Sequence, residues 1–459
     1  MTAPAALTAL FGDRCRTDAD TLTEYGRDWT RYTEPAASAV VFPTSRDELV
    51  ELVKLANRDR LALVPSGGRT GLSGGACATA GEVVVSMEKM DRLLDFNPTD
   101  RLITVEAGMV TEVLQQHALE RELYFPVDFA SRGSSRIGGN IATNAGGIKV
   151  VRYGMFRDWV AGLTVVTGAG EVLELNHGLE KNNTGYDFRH LFVGSEGTLG
   201  FVVDATLKLA RRPKELAVML LAVPQLSDVM EVFNRFRRDI DLSAFEFFSD
   251  QALRHVEARG LVASPFAERE NYYVVLEFER IADSAETMAL DAFESLLENG
   301  FVTDGVLAQS ETQAAQLWRL REDISESITP RTPYKNDIAV RPSQVPAFVA
   351  ELDALLAREY PDFEVVWFGH IGDGNLHINV LRPLDMDIAA FKSACEQVNT
   401  RVFGLLRRYR GSMSAEHGVG LLKRQYLGIS RSEAEIALMR RVKAAFDPNG
   451  VMNPGKLVA

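Results

Sequence analysis

Two short stretches of this chain hold residues whose types and spacing could do chemistry. In "WFGHIGDGNLHINV" (367–380), His370 and His377 flank a tight Gly-Asp-Gly, and the chain has only 7 histidines. "EVVWFGH" and "LHINV" read as strands joined by a turn across Gly372–Gly374, a hairpin that brings His370 and His377 together. Side chains alternate along the second strand, so His377 and Asn379 share one side while Leu376 and Ile378 take the other. In "SAEHGVG" (414–420), Glu416 and His417 sit between small residues. Two imidazoles and one carboxylate, with a position left open, are the donor set of a catalytic divalent-metal site. Polar residues satisfied within a hairpin are the other reading of the same pattern.

A second group is cationic. "QLWRLREDISESITPRTPYKNDIAV" (316–340) reads as a helix stopped at Pro330 and a strand beginning near Tyr334. Arg321 and Ser325 are one helical turn apart and are expected to share a face, with Lys335 at the strand start. These residues could grip a carboxylate, or could belong to a solvated charged surface.

The third group is glycine. It clusters in "SGGRTGLSGG" (66–75), "GSSRIGGNIATNAGG" (133–147) and "GSEGTLG" (194–200). Loops of this kind let backbone N–H groups approach phosphate oxygens, which suits a diphosphate-bearing cofactor; three tight turns are the plainer alternative. No GxGxxG follows a strand, so the dinucleotide fingerprint of the doubly wound fold is missing. "GVMNPGKL" (450–457) has P-loop spacing, but Leu457 stands where Ser/Thr is needed and Pro454 interrupts it.

The elements that must carry these groups are legible in part. "SRDELVELVKLAN" predicts a helix over 46–57, with Ser45 and Glu48 as a capping box and Leu49, Leu52, Val53 and Ala56 on its buried face. "GEVVVSM" and "RLITVEAG" continue a strand–helix alternation, so the first part of the chain is α+β or α/β. "LARRPKE" separates it from a second α+β region, whose strands "ELAVMLLAVP", "NYYVVLEFER" and "IAVRP" alternate with helices near 225–238, 285–298 and 312–328. The expected organisation is α+β, with domains at 1–213 and 214–425 and a C-terminal segment, 426–459, packing back on the first.

Bulk numbers set limits. A chain of 459 residues is too long for one core, and a formal net charge of −13 argues against nucleic acid or an anionic membrane surface as main partner. Cys15, Cys77 and Cys395 lie far apart with no CxxC pair, which excludes a cysteine-built metal site and suits a reducing compartment. The N-terminus does not read as a secretory signal, and the run Leu216–Val223 is far too short to cross a bilayer. The expectation is a cytoplasmic protein.

"PSGGRTGLSGG", "PVDFASRGSSRIGGNIATNAGG" and "GSEGTLGFV" together resemble the FAD-binding segments of the vanillyl-alcohol oxidase/p-cresol methylhydroxylase flavoprotein superfamily. The resemblance implies a flavin site built from Ser66, Gly67, Gly68, Arg69, Thr70, Gly71 and Ser73 at the pyrophosphate. It implies further contacts from Pro126, Gly133, Ser134, Ile137, Gly138, Asn140, Thr143, Asn144 and Gly147, and from Glu196, Gly197, Gly200, Val202 and Asn453. Where some relatives tether flavin through a histidine, this chain has Arg69, so non-covalent FAD is expected.

"GHIGDGNLHINV", "SAEHGVG" and "DPNGVMNPGK" are similar to the C-terminal motifs of the FAD-linked 2-hydroxy-acid dehydrogenases, the group of D-lactate, glycolate and D-2-hydroxyglutarate enzymes. That likeness implies His370, His377 and Glu416 as ligands of Zn2+, or of another divalent metal such as Mn2+ or Co2+, with His417 as base. It implies Asn379 on the C1 carboxylate of a 2-hydroxy acid, and Arg321, Ser325 and Lys335 on the distal carboxylate of a 2-hydroxy dicarboxylate. Within the group, "PYKNDIAV" included, the resemblance is nearest to the bacterial enzymes of D-2-hydroxyglutarate, with D-malate a poorer substrate. It also implies an electron-transfer flavoprotein or a quinone as electron acceptor; a homodimer is a separate expectation that no residue carries. The competing expectations are a lactate or glycolate preference, a zinc hydrolase without flavin, and a flavin-binding subunit without activity.

Overall fold

The computed structural model describes residues 3–30, 33–281 and 284–458, which form two compact units. The first comprises 1–146, 154–212 and 416–459; the second comprises 147–153 and 213–415. The division after Ala415 lies ten residues before the expected boundary at 425. The excursion of 147–153 into the second unit was not foreseen. Its reason is ionic: Lys149 pairs with Glu277, and Arg152 with Glu279 at 2.9 Å, all within the second unit and all largely buried.

In the first unit, β1 (Cys15–Arg16), β2 (Ala39–Val41), β3 (Leu63–Ser66) and β4 (Val83–Ser86) form a four-stranded sheet in the order β1-β2-β4-β3. β2, β4 and β3 are parallel, and their apolar residues are buried on both faces, as parallel strands require. A five-stranded antiparallel sheet follows, β5 (Leu93–Asn97), β6 (Leu102–Glu106), β8 (Val160–Thr167), β9 (Val172–Leu175) and β10 (Gly200–Lys208), ordered β5-β6-β10-β8-β9. A short pair joins β7 (Leu123–Tyr124) to β11 (Ala210–Arg211).

The predicted helix spans Arg46–Asp59, and Leu49, Leu52, Val53 and Ala56 are fully buried. Ser45 caps it by accepting from the N–H of Glu48. The reciprocal half of the expected box is not made. The Glu48 carboxylate takes the N–H of Thr44 at 2.8 Å and the guanidinium of Arg14 instead, a stronger, charge-assisted partner.

The second unit is one seven-stranded antiparallel sheet. Its strands are β12 (Leu216–Val223), β13 (Leu242–Ser249), β14 (Tyr272–Glu279), β15 (Asp304–Leu307), β16 (Tyr334–Ala339), β17 (Glu364–Gly369) and β18 (Asn375–Leu381), ordered β15-β12-β14-β13-β17-β18-β16. One face packs Phe248, Tyr273, Val366 and Phe368 against Leu317, Leu320, Ile324 and Ile328.

The segment expected as one helix near 312–328 is two, Glu311–Glu322 and Ile324–Ile328, broken at Asp323. Asp323 is the C-cap of the first, and its carboxylate draws in Arg319 at 2.8 Å. The break cancels the expected shared face: Arg321 is buried while Ser325 is exposed. No helix among the described residues is long and apolar enough to cross a membrane.

Candidate functional site

Each unit carries its own site. In the first, a cavity is walled by the loop after β3, by the helix Ile137–Thr143 and by the turn leading into β10. Ser66, Gly67, Gly68, Arg69, Thr70, Gly71 and Ser73 line it, with Gly138, Asn140 and Thr143, then Glu196, Gly197, Gly200 and Val202. The three glycine clusters, far apart in sequence, therefore meet around one space. Pro126, Gly133, Ser134, Ile137, Asn144 and Asn453 are not on this lining, and Gly147 falls in the second unit. Sequence reasoning missed Met87 and Ala107, apolar wall residues with no chemical signature, and did not single out Pro65, Gly75, Arg136, Ser195 and Phe201 within the segments it quoted for the cofactor.

The lining is shaped for close approach. A Cβ on Gly68 would stand 2.1 Å from the carbonyl oxygen of Ser134, so no larger residue fits without moving backbone. Arg69, Asn144, Glu196 and Asn453 all hold positive φ, between 41° and 57°, a strained state that persists only where surroundings enforce it. Asn453 supplies part of that enforcement, donating from Nδ2 to the carbonyls of Gly75 (3.0 Å) and Glu196 (2.7 Å). Ser66 Oγ is buried and has no partner, a hydroxyl left over for whatever enters the cavity. Glycine loops and an orphan hydroxyl fit a diphosphate-bearing cofactor, with Arg69 and Arg136 also on the lining.

His417 is on the same lining. Ser73 Oγ donates to its carbonyl at 2.7 Å, and the Glu196 carboxylate accepts from the N–H of Val419 (2.8 Å) and of Gly420 (2.7 Å). Glu196 thus uses its side chain to anchor the "SAEHGVG" loop. Burial holds its pKa above the ordinary carboxylate value, opposed by those two N–H groups.

In the second unit the hairpin forms as its pattern predicts. β17 and β18 pair antiparallel, joined by a short helical turn at Ile371–Asp373 and by Gly374. Gly374 has φ 89°, and a Cβ there would stand 1.9 Å from the carbonyl of Val340, so the turn demands glycine. The imidazoles of His370 and His377 lie with ring centroids 5.3 Å apart.

β16 sets the remaining groups. Lys335 is opposite Asn379 and Asp337 opposite His377, so all four side chains lie on one side of the sheet. Leu376 and Ile378 are buried on the other side, as expected. Asn379 is 2% exposed, and its Nδ2 has no partner. Lys335 reaches solvent, yet the protein around it desolvates its ammonium and lowers its pKa.

His370 has a carboxylate hydrogen-bonded at Nδ1, Glu246 Oε1 at 2.7 Å, whereas Asp337 Oδ1 lies 3.8 Å from Nδ1 of His377, beyond hydrogen-bond length. Metal-ligating histidines characteristically present the arrangement seen at His370, leaving Nε2 for the ion. Ala415, the last residue of the second unit, donates its N–H to the carbonyl of Asp337 at 3.3 Å, in the strand opposite His377. Arg321 is partly engaged within the unit, and its buried Nε has no partner. Its guanidinium pairs with Glu246 at 2.9 Å and stacks over Phe368 at 4.7 Å. Glu246 and Asp337 were missed, although single acidic residues inside "LSAFEFFS" and "YKNDIAV" are the signal that could have found them.

Comparison with known proteins bears on both units. A model of the C-terminal domain of FAD linked oxidases matches residues 212–457, and a FAD binding domain model matches residues 37–176. The chain is 55% identical over 463 residues to a D-2-hydroxyglutarate dehydrogenase of Stutzerimonas stutzeri (strain A1501), covering 100% of both chains. It is 57% identical over 444 residues to one from Xanthomonas citri pv. viticola, covering 97% of this chain and 94% of the relative. A mitochondrial D-2-hydroxyglutarate dehydrogenase of Bos taurus is 35% identical over 99% of this chain and 83% of its own. Among solved structures, 4-ethylphenol oxidase from Gulosibacter chungangensis superposes with TM-score 0.76 at 17% identity, over 99% of this chain and 96% of that one. p-Cresol methylhydroxylase gives TM-score 0.75 at 14% identity over the same shares. At these identities the structural likeness speaks for the fold alone, an α+β flavoprotein fold of the p-cresol methylhydroxylase type.

Proposed function

The chain belongs to the family of FAD-linked oxidases that includes the D-2-hydroxyglutarate dehydrogenases, and from that membership we propose that it oxidises D-2-hydroxyglutarate to 2-oxoglutarate with non-covalently bound FAD and a divalent metal. The observation that carries this reading is identity of 55% over the full length of a bacterial D-2-hydroxyglutarate dehydrogenase. D-Malate is proposed as a poorer substrate.

FAD, when bound, supplies the two-electron acceptor that side chains cannot. A divalent cation, when bound, supplies Lewis acidity that acidifies the substrate hydroxyl. The chain's own residues do the rest. The cavity of the first unit positions the cofactor, with Ser66 Oγ and the glycine loops available to it. His417, on that cavity's wall, takes the hydroxyl proton, and the bonds from Ser73 and Glu196 to its loop keep it in place.

His370, His377 and Glu416 are the proposed metal ligands. Zinc is the first expectation, and a two-nitrogen, one-oxygen set also suits Mn2+ or Co2+. Asn379 is the proposed donor to the C1 carboxylate, a reading supported by its Nδ2 being buried without a partner. Lys335 supplies the positive charge for the distal carboxylate, with Arg321 contributing to the local field. Ser325, proposed beside them at the distal carboxylate, is exposed beyond the helix break, as Lys335 is on its strand. Electrons are proposed to leave to an electron-transfer flavoprotein or a quinone.

Incubation of purified protein with D-2-hydroxyglutarate and an artificial electron acceptor tests the reaction. Stoichiometric 2-oxoglutarate is expected. Turnover of D-lactate or glycolate with a higher kcat/KM would overturn the substrate assignment.

A further inference from the structure

Glu246 is an acidic residue in the middle of the apolar strand β13, and it is 1% exposed. Its two oxygens have different partners. Oε1 meets Nδ1 of His370 at 2.7 Å, while Oε2 lies 2.9 Å from the Arg321 guanidinium. A carboxylate can only accept, so His370 donates from Nδ1 and its lone pair is on Nε2. A buried carboxylate without a cation would be strongly disfavoured, and Arg321, itself buried and laid over Phe368, is the cation. Arg321, Glu246 and His370 therefore form a line of contacts inside the second unit.

We propose that Glu246 is the positioning residue of His370, fixing the Nδ1–H tautomer and the ring orientation so that Nε2 faces the ion, and that the first task of Arg321 is to hold Glu246. This rests on the metal reading above. It adds a supporting task to Arg321, whose buried Nε has no partner and stays available to the distal carboxylate beside Lys335. Glu246 touches neither substrate nor cofactor in this scheme; it acts through His370.

The amide of Glu246→Gln cannot serve both neighbours. With its oxygen toward His370, its NH2 faces the guanidinium, donor against donor. Removing a partner of this kind typically costs 10–100-fold in metal affinity. Zinc affinity is measured on FAD-loaded, chelator-stripped protein by competition with a chromophoric chelator, beside the flavin-to-protein absorbance ratio. Glu246→Gln should bind zinc about 10–100-fold more weakly with its flavin ratio unchanged, and Glu246→Asp should recover part of the loss.

Equal zinc affinity in wild type and Glu246→Gln would overturn the positioning role while leaving the metal reading intact. A wild type that binds no zinc, manganese or cobalt would overturn the metal reading and this inference with it. If Glu246→Gln does not fold, nitrogen NMR of histidine-labelled, stripped wild type at pH 8 decides. A His370 signal of the Nδ1–H tautomer is expected, and an Nε2–H tautomer would overturn the proposal.

Discussion

Replacing Lys335 with Met separates binding of the distal carboxylate from everything else the site does. The side chain is directly opposite Asn379 in the β16–β18 register, so a substrate held at C1 by Asn379 extends along a row whose next charge is the Lys335 ammonium. A hydrogen bond to a charged group contributes about 1.5–3 kcal/mol, which is about 10–150-fold in kcat/KM. The assay is anaerobic stopped-flow reduction of the flavin by D-2-hydroxyglutarate and by D-lactate. The selectivity ratio should fall by about 10–150-fold in Lys335→Met. Stability should not fall with it, because desolvation already lowers this ammonium's pKa. A depressed lysine pKa means that the unfolded chain binds the proton more tightly, so this group's contribution to stability rises with pH between its folded pKa and about 10.4. Selectivity for the dicarboxylate should disappear over the same rise, at lower pH than for an ordinary lysine. Equal losses with both substrates would refute the assignment of Lys335.

Two further outcomes follow from the first unit. Gly68→Ala should abolish retention of FAD, since the added Cβ would stand 2.1 Å from the Ser134 carbonyl; the ratio of flavin to protein absorbance after gel filtration measures it. The Arg14 guanidinium, with the N–H of Thr44, pulls the Glu48 pKa down to about 2. This carboxylate therefore stabilises the fold above its unfolded pKa of about 4.3 and loses that contribution as pH falls toward the folded value, on the order of 2–3 kcal/mol for the pair. Denaturant midpoints of Arg14→Met should be lower than wild type at pH 7 and should converge with it as pH falls.

Much of the architecture was legible because local rules and tertiary demands agree. The helix Arg46–Asp59 shows all four predicted apolar residues at zero exposure, and the β17–β18 hairpin follows from period-2 alternation and a turn that only glycine can make. The glycine clusters could be read as a cofactor site because a cradle without Cβ atoms leaves a compositional mark. What was not legible is what depends on partners distant in sequence. Nothing in "REDISESITP" shows that Asp323 ends one helix and restarts another, and that break exposes Ser325. Glu246 is 124 residues from His370, and its pairing with Arg321 changes what an arginine at that position is free to do. The excursion of 147–153 into the second unit depends likewise on Glu277 and Glu279, whose charges look unremarkable inside "VVLEFE".

The most direct test of the central claim is the visible spectrum of the purified protein under anaerobic conditions as D-2-hydroxyglutarate is added. It is recorded before and after metal is stripped with a chelator, and again after zinc is restored. The account predicts an oxidised-flavin spectrum that bleaches with the hydroxy acid, slowly with D-lactate, not after stripping, and again once zinc returns. Bleaching that survives complete stripping would contradict the role given to His370, His377 and Glu416, and a protein with no flavin spectrum even after added FAD would contradict the account from its first unit onward.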